Sequence, residues 1–164
     1  MKKTNMVNDK IKGVIFGQAI GDALGLGTEF MNKKEVDKYY PNGLTYYDQI
    51  IQDYHRKRWA KGAWTDDTDM MLCIANAIIK DKDIRLSTIA QNFKDWFNGE
   101  PLGIGSNTFK VLSFKDYTDS PQKGAEIIWI CLEKRVRQME LLCELLLLDF
   151  GIMIQKNMLL KSAN

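Results

Sequence analysis

The chain has 164 residues, 45% of them hydrophobic, and carries 23 basic against 21 acidic side chains for a net charge of +2. That length is one domain with room for a real core, and the near balance of charge argues against a nucleic-acid groove or a polybasic membrane anchor. Three cysteines, Cys73, Cys131 and Cys143, have neither metal-ligand spacing nor an even count, which points to a reducing, cytoplasmic setting. The basic start Met1–Asn5 leads into no continuous apolar run of the signal-peptide kind. No apolar run, the four leucines Leu145–Leu148 included, is anywhere near long enough to span a bilayer.

From Lys10 to Leu26 the spacing predicts a first helix, with Ile11, Val14, Ile15, Ala19 and Ala23 on its apolar side. Gly13, Gly17, Gly21 and Gly25 recur every fourth residue and so share one side. Close helix packing is one reading of that line; backbone brought close to a ligand by Gly21–Gly27 is another. No G-x-G-x-x-G fingerprint follows a strand, so a dinucleotide fold is a poor fit. Glu29 follows beside Phe30, and a lone glutamate there is ordinarily a solvated charge. Lys33–Tyr40 reads as a short helix closed by the turn signal Pro41-Asn42-Gly43. Tyr46–Arg58 has no clear period and reads as a loop. It holds the only histidine, His55, beside Arg56, Lys57 and Arg58, and a surface histidine is the preferred reading.

The chain is organised around Gly62-Ala63-Trp64-Thr65-Asp66-Asp67-Thr68-Asp69-Met70-Met71. Leu72, Ile74, Ala75, Ala77 and Ile78 continue it at helical spacing. Thr65 is a natural N-cap, and Asp66 and Asp67 suit the positive end of the helix dipole. An acidic, well-capped helix start would account for the string. So would a metal site, because adjacent carboxylates and a hydroxyl are the oxygen donors that Mg²⁺ or Mn²⁺ prefers.

Beyond the polar break Asp81-Lys82-Asp83, Leu86, Ile89, Ala90, Phe93, Trp96 and Phe97 give the clearest amphipathic helix, stopped at Asn98-Gly99. The loop Leu102–Asn107 enters another helix at Thr108–Leu112. Its amides and hydroxyls could cradle a phosphate, or Gly103-Ile104-Gly105 could be an ordinary turn. Nothing alternates with period two, so the expected fold is all-α, with helices near 10–25, 66–80, 86–98 and 122–129.

Gly17–Gly25, then Glu29-Phe30, then Trp64-Thr65-Asp66-Asp67-Thr68, then Gly103-Ile104-Gly105 stand in the order found in the ADP-ribosylglycohydrolase family, which residues 10–129 resemble. The resemblance implies an all-α orthogonal helical bundle, here truncated, that hydrolyses ADP-ribosyl bonds on protein side chains or small molecules with two Mg²⁺ or Mn²⁺ ions. It implies that Thr65, Asp66 and Asp67 bind one metal, and that Glu29 poises the water or leaving group. Gly103, Ile104, Gly105, Ser106 and Thr108 would lie near the ADP-ribose diphosphate. The partners implied are an ADP-ribosylated protein or a small-molecule substrate, with no nucleic acid and no membrane.

The family also carries a second acidic string, Gly-Asp-x-Asp-Thr-x-Ala, toward its C-terminus, and this chain has none; Asp149 is the sole acid after Glu144. Residues 1–129 thus read as the N-terminal part of a family domain, and 130–164 as an atypical tail. Read from each third codon base, the segment Cys131–Glu144 permits the family's Asn-Gly-Ala-x-Met-Arg, and Met139-Glu140 forces Asn or Asp followed by Gly. An out-of-frame tail is the expectation, with a divergent amphipathic C-terminal helix as the other reading. The chain would then be a hydrolase with impaired activity, or a non-catalytic remnant that binds ligand or partner.

Overall fold

Helices form where apolar residues recur at three and four, and they stop where the chain supplies caps or reversals. In the structure, a computed structural model that describes residues 2–131, these are α1 Lys2–Gly25, α2 Lys33–Tyr39, α3 Asp66–Asp81, α4 Leu86–Asn98, α5 Ser106–Leu112 and α6 Pro121–Cys131. Two single 3₁₀ turns, Tyr47–Gln49 and Arg56–Arg58, interrupt the segment expected to be pure loop. No strand occurs among the described residues, and the fold is all-α. The tail from residue 132 onward lies outside the described residues. The chain divides into two compact units between Thr68 and Asp69.

In the first unit α1 begins well before Lys10. Ile11, Ile15 and Ala19 are half-buried and Ala23 is fully buried, but Val14 lies with Phe16 and Ile20 on the exposed side. The glycine line makes no close approach: nothing among the described residues comes within 4 Å of a Cβ built at Gly13, Gly17, Gly21 or Gly25. Gly27 is where the lack of a side chain counts. A Cβ there would sit 2.4 Å from a Leu44 methyl and 2.9 Å from the Leu24 carbonyl oxygen. Helix α2 opens on a reciprocal box, the Asn32 side chain accepting from the Glu35 amide at 3.1 Å and the Asn32 amide donating to Glu35 at 2.8 Å. It delivers Tyr40 inward, where the hydroxyl donates to the Gly27 carbonyl at 2.9 Å and accepts from the Ile51 amide at 3.2 Å.

In the second unit Ala90, Leu112 and Tyr117 form a buried cluster. Phe93, Trp96 and Phe97 of α4 pack on it with Ile104, Val111 and Phe114. The predicted face of α4 is therefore the packed one, except that Leu86 is half exposed at 47%. The helix ends at Gly99 as expected, but the left-handed residue that reverses the chain is Glu100, with φ of 56°.

Candidate active site

The apolar side of α1 carries one acid. Asp22 stands seven residues after Ile15 and eleven after Ile11, on their side of the helix. Its carboxylate meets the start of α3. Oδ1 accepts from the Thr65 hydroxyl at 2.7 Å; Oδ2 accepts from the Thr65 amide at 2.9 Å, the Thr68 amide at 3.1 Å and the Thr68 hydroxyl at 2.6 Å. Thr65 is the residue before the helix, as the sequence predicts, but the third helical amide is satisfied by Asp22. A carboxylate from another helix thus does the capping, and Thr68 beneath it is 1% exposed. Capping by a charged acceptor at a helix N-terminus is favoured by both hydrogen bonding and the dipole. Asp66 and Asp67, half-buried, occupy the first turn held this way.

Glu29 lies on the turn that follows α1, and a buried cation holds that turn. Arg56, 3% exposed, donates from Nε to the carbonyls of Leu26 at 3.1 Å and Gly27 at 2.9 Å, and from Nη2 to the carbonyl of Glu29. Its Nη1 pairs with Asp53. Asp53 Oδ1 in turn accepts from the amides of Arg56 at 2.8 Å and His55 at 3.1 Å. The Arg56 backbone N–H above all holds the Asp53 carboxyl below its ordinary value; the Arg56 charge and side-chain N–H add to this, against partial burial. Phe30, in the left-handed region at φ of 59°, turns the chain immediately after Glu29. Such a conformation costs a bulky residue about 1 kcal/mol or more.

His55 corrects the surface reading. Its side chain is 23% exposed, and Nε2 lies 2.7 Å from Glu29 Oε2, so the glutamate is a partnered group rather than a free surface charge. Sequence reasoning missed Asp22 and Arg56. An acid on the apolar side of α1 was a usable signal for the first. For Arg56, inside the run Arg56-Lys57-Arg58, local pattern offers nothing.

The residues expected at the diphosphate belong to the second unit. Gly103 has φ of 81°, Gly105 is extended before the helix, and α5 starts at Ser106, two residues earlier than predicted. Ser106 is exposed, Thr108 is half-buried, and Ile104 packs on the core cluster. In the same unit, burial, with the charges of Asp69 and Asp95, pushes the Cys73 thiol up to about 11, opposite to the shift that activates a thiol.

For a hard cation, Thr65, Asp66 and Asp67 offer donors of the right kind. They are short in number, since among the described residues no group of three or more His, Cys, Asp or Glu side chains could hold a metal ion. Of the Asp22 oxygens, Oδ2 accepts from three threonine donors and Oδ1 from one. No helix among the described residues is long and apolar enough to cross a membrane.

The ADP-ribosylglycohydrolase family model matches residues 3–131. The ADP-ribosyl-[dinitrogen reductase] glycohydrolase of Rhodospirillum rubrum is 31% identical over 107 residues, 61% of this chain and 32% of that protein. The ADP-ribosylarginine hydrolase Tri1 of Serratia proteamaculans is 32% identical over 111 residues, 63% of this chain and 28% of that protein. The chain spans about a third of the length of these curated relatives. It belongs to the ADP-ribosylglycohydrolase family.

Proposed function

We propose that this chain is the N-terminal part of a metal-dependent hydrolase that releases ADP-ribose from modified protein side chains or small molecules. One observation carries the reading: the string Trp64-Thr65-Asp66-Asp67-Thr68 stands at a helix start that a carboxylate of α1 holds through both threonines. Thr65, Asp66 and Asp67 would hold one Mg²⁺ or Mn²⁺. A threonine hydroxyl that binds a cation must give its proton elsewhere, and the Thr65 proton goes to Asp22 Oδ1, which leaves oxygen lone pairs for the metal. When bound, the cation supplies Lewis acidity and a template for the ribose oxygens. Glu29 accepts the proton of the attacking water. Gly103, Ile104, Gly105, Ser106 and Thr108 offer backbone amides and hydroxyls to the diphosphate. Substrates of the kinds named for the relatives, ADP-ribosylated arginine or dinitrogen reductase, are the first to try.

The absent second acidic string supports a second reading of the chain by itself: a non-catalytic remnant that binds ligand or partner weakly. A half-ligated hard cation keeps its water and exchanges readily. The two readings meet in one experiment. The 164-residue chain alone should release little or no ADP-ribose from ADP-ribosyl-arginine or ADP-ribosyl-serine. Restoring the frame after Trp129 from the coding DNA should restore Mg²⁺-dependent release. Metal-dependent turnover by the short chain, lost in Asp67→Ala, would contradict this, as would coding DNA with no readable Asn-Gly-Ala-x-Met-Arg in another frame.

A further inference from the structure

The side chains around Glu29 form an ordered sequence of donors and acceptors whose direction follows from chemistry. Arg58 Nη2 lies 2.6 Å from His55 Nδ1. A guanidinium has five N–H donors and no acceptor. The Nδ1 atom facing it must therefore accept, and the imidazole proton sits on the other nitrogen. That nitrogen, Nε2, is 2.7 Å from Glu29 Oε2 and donates to it. The ring cannot turn over freely. The edge of Phe30 meets it with centroids 5.1 Å apart, and Trp59 leans on it at 5.3 Å. Its own backbone is tied down as well, the amide to Asp53 at 3.1 Å and the carbonyl by Arg58 Nε at 3.0 Å. Arg58 is itself stacked, its guanidinium 4.5 Å over the Trp59 ring.

We propose that Arg58, His55 and Glu29 form a one-way hydrogen-bond relay in which Arg58 fixes His55 as the neutral Nε2–H tautomer and His55 positions the carboxylate of Glu29. Oε2 is then committed to the imidazole, and Oε1 is the oxygen left to take a proton from a reactant. His55 is a positioning residue, acting through Glu29 as a buried partner orients a catalytic base elsewhere. The catalytic meaning of the relay rests on the proposed role of Glu29; the relay itself does not.

His55 is the only histidine, so a chain labelled with ¹⁵N-histidine and carrying no histidine tag gives a single pair of ring signals. At pH 8, without metal or substrate, Nδ1 should resonate as an unprotonated nitrogen and Nε2 as a protonated one, with the Nε2–H proton visible through its bond. Arg58→Met should let the two nitrogen signals move toward each other as tautomers mix. Glu29→Gln should keep Nδ1 in place and shift the Nε2–H proton. A parent spectrum of mixed tautomers, protonation of Nδ1, or a spectrum that neither substitution alters would overturn the relay. Failure of the functional reading looks different: the locked tautomer is present, while turnover by the frame-restored enzyme is indifferent to Glu29→Gln.

Discussion

In the first unit a buried guanidinium and a half-buried carboxylate hold the chain where the second unit uses a cluster of alanine, leucine and aromatic rings. Arg56 gathers three carbonyls of the Glu29 turn, and Asp22 gathers four donors at the start of α3. Around Ala90, Leu112 and Tyr117 the packing of Phe93, Trp96, Phe97, Ile104, Val111 and Phe114 is apolar, with single polar contacts beside it, Lys94 to the Leu112 carbonyl at 2.6 Å and the Trp96 indole N–H to Asp69 at 3.0 Å. Apolar burial is roughly proportional to area and tolerates small shifts. Hydrogen bonds to charged groups fix distance and angle, and leaving one unmade in a buried place is costly. The unit bearing Glu29, Asp66 and Asp67 is thus the one in which charged groups fix the backbone, the condition that the proposed site sets for its carboxylates.

The largest effect should come from the polar side. Arg56→Met keeps much of the volume but takes the guanidinium donors from the Leu26 and Glu29 carbonyls and from the Asp53 carboxylate, while Gly27 keeps the Tyr40 hydroxyl, a loss of about 3 kcal/mol at roughly 1 kcal/mol for each of the three. Hydrogen exchange resolved by peptide should show the segment 24–31 opening, with residues 90–112 unaffected. Uniform loosening of both would erase the distinction between the two regions. Leu112→Ala is the converse, costing about 2 kcal/mol, the low end for a leucine truncation because the cluster is small. Its exchange should rise across α4 and α5 and spare the Glu29 turn.

Acid gives the smallest effect and sharpens the same contrast. Asp53 has a lowered carboxyl value in the folded chain, chiefly through the Arg56 amide. The stability it contributes is present above the ordinary carboxylate value and is lost as pH falls through the lowered one. Protection of the Glu29 turn should therefore decline below about pH 4, and less so in Asp53→Asn. An equal decline in that variant would assign the acid sensitivity to other carboxylates.

Much of the fold was legible because its signals are local. The apolar period of α4, the turn signal Pro41-Asn42-Gly43 after α2 and the acid-rich start of α3 each depend on residues a turn apart or less. The site was legible only in part. Thr65, Asp66 and Asp67 announced a helix start, but the partner that completes it, Asp22, is 43 residues away from Thr65 in sequence. Glu29 and His55 are 26 apart, and Arg56 reads as one more surface cation in a basic run. Side chains that act across such distances leave no periodic trace. The glycine line of α1 shows the opposite failure, a regular pattern that the described residues do not use for close packing.

If Thr65, Asp66 and Asp67 form one half of a metal site, as proposed, Mn²⁺ titration of the purified chain will show it. Calorimetry should show weak binding of a single ion, abolished in Asp66→Asn while the helical circular dichroism is unchanged. An Asp66→Asn variant that binds Mn²⁺ as tightly as the parent would contradict it.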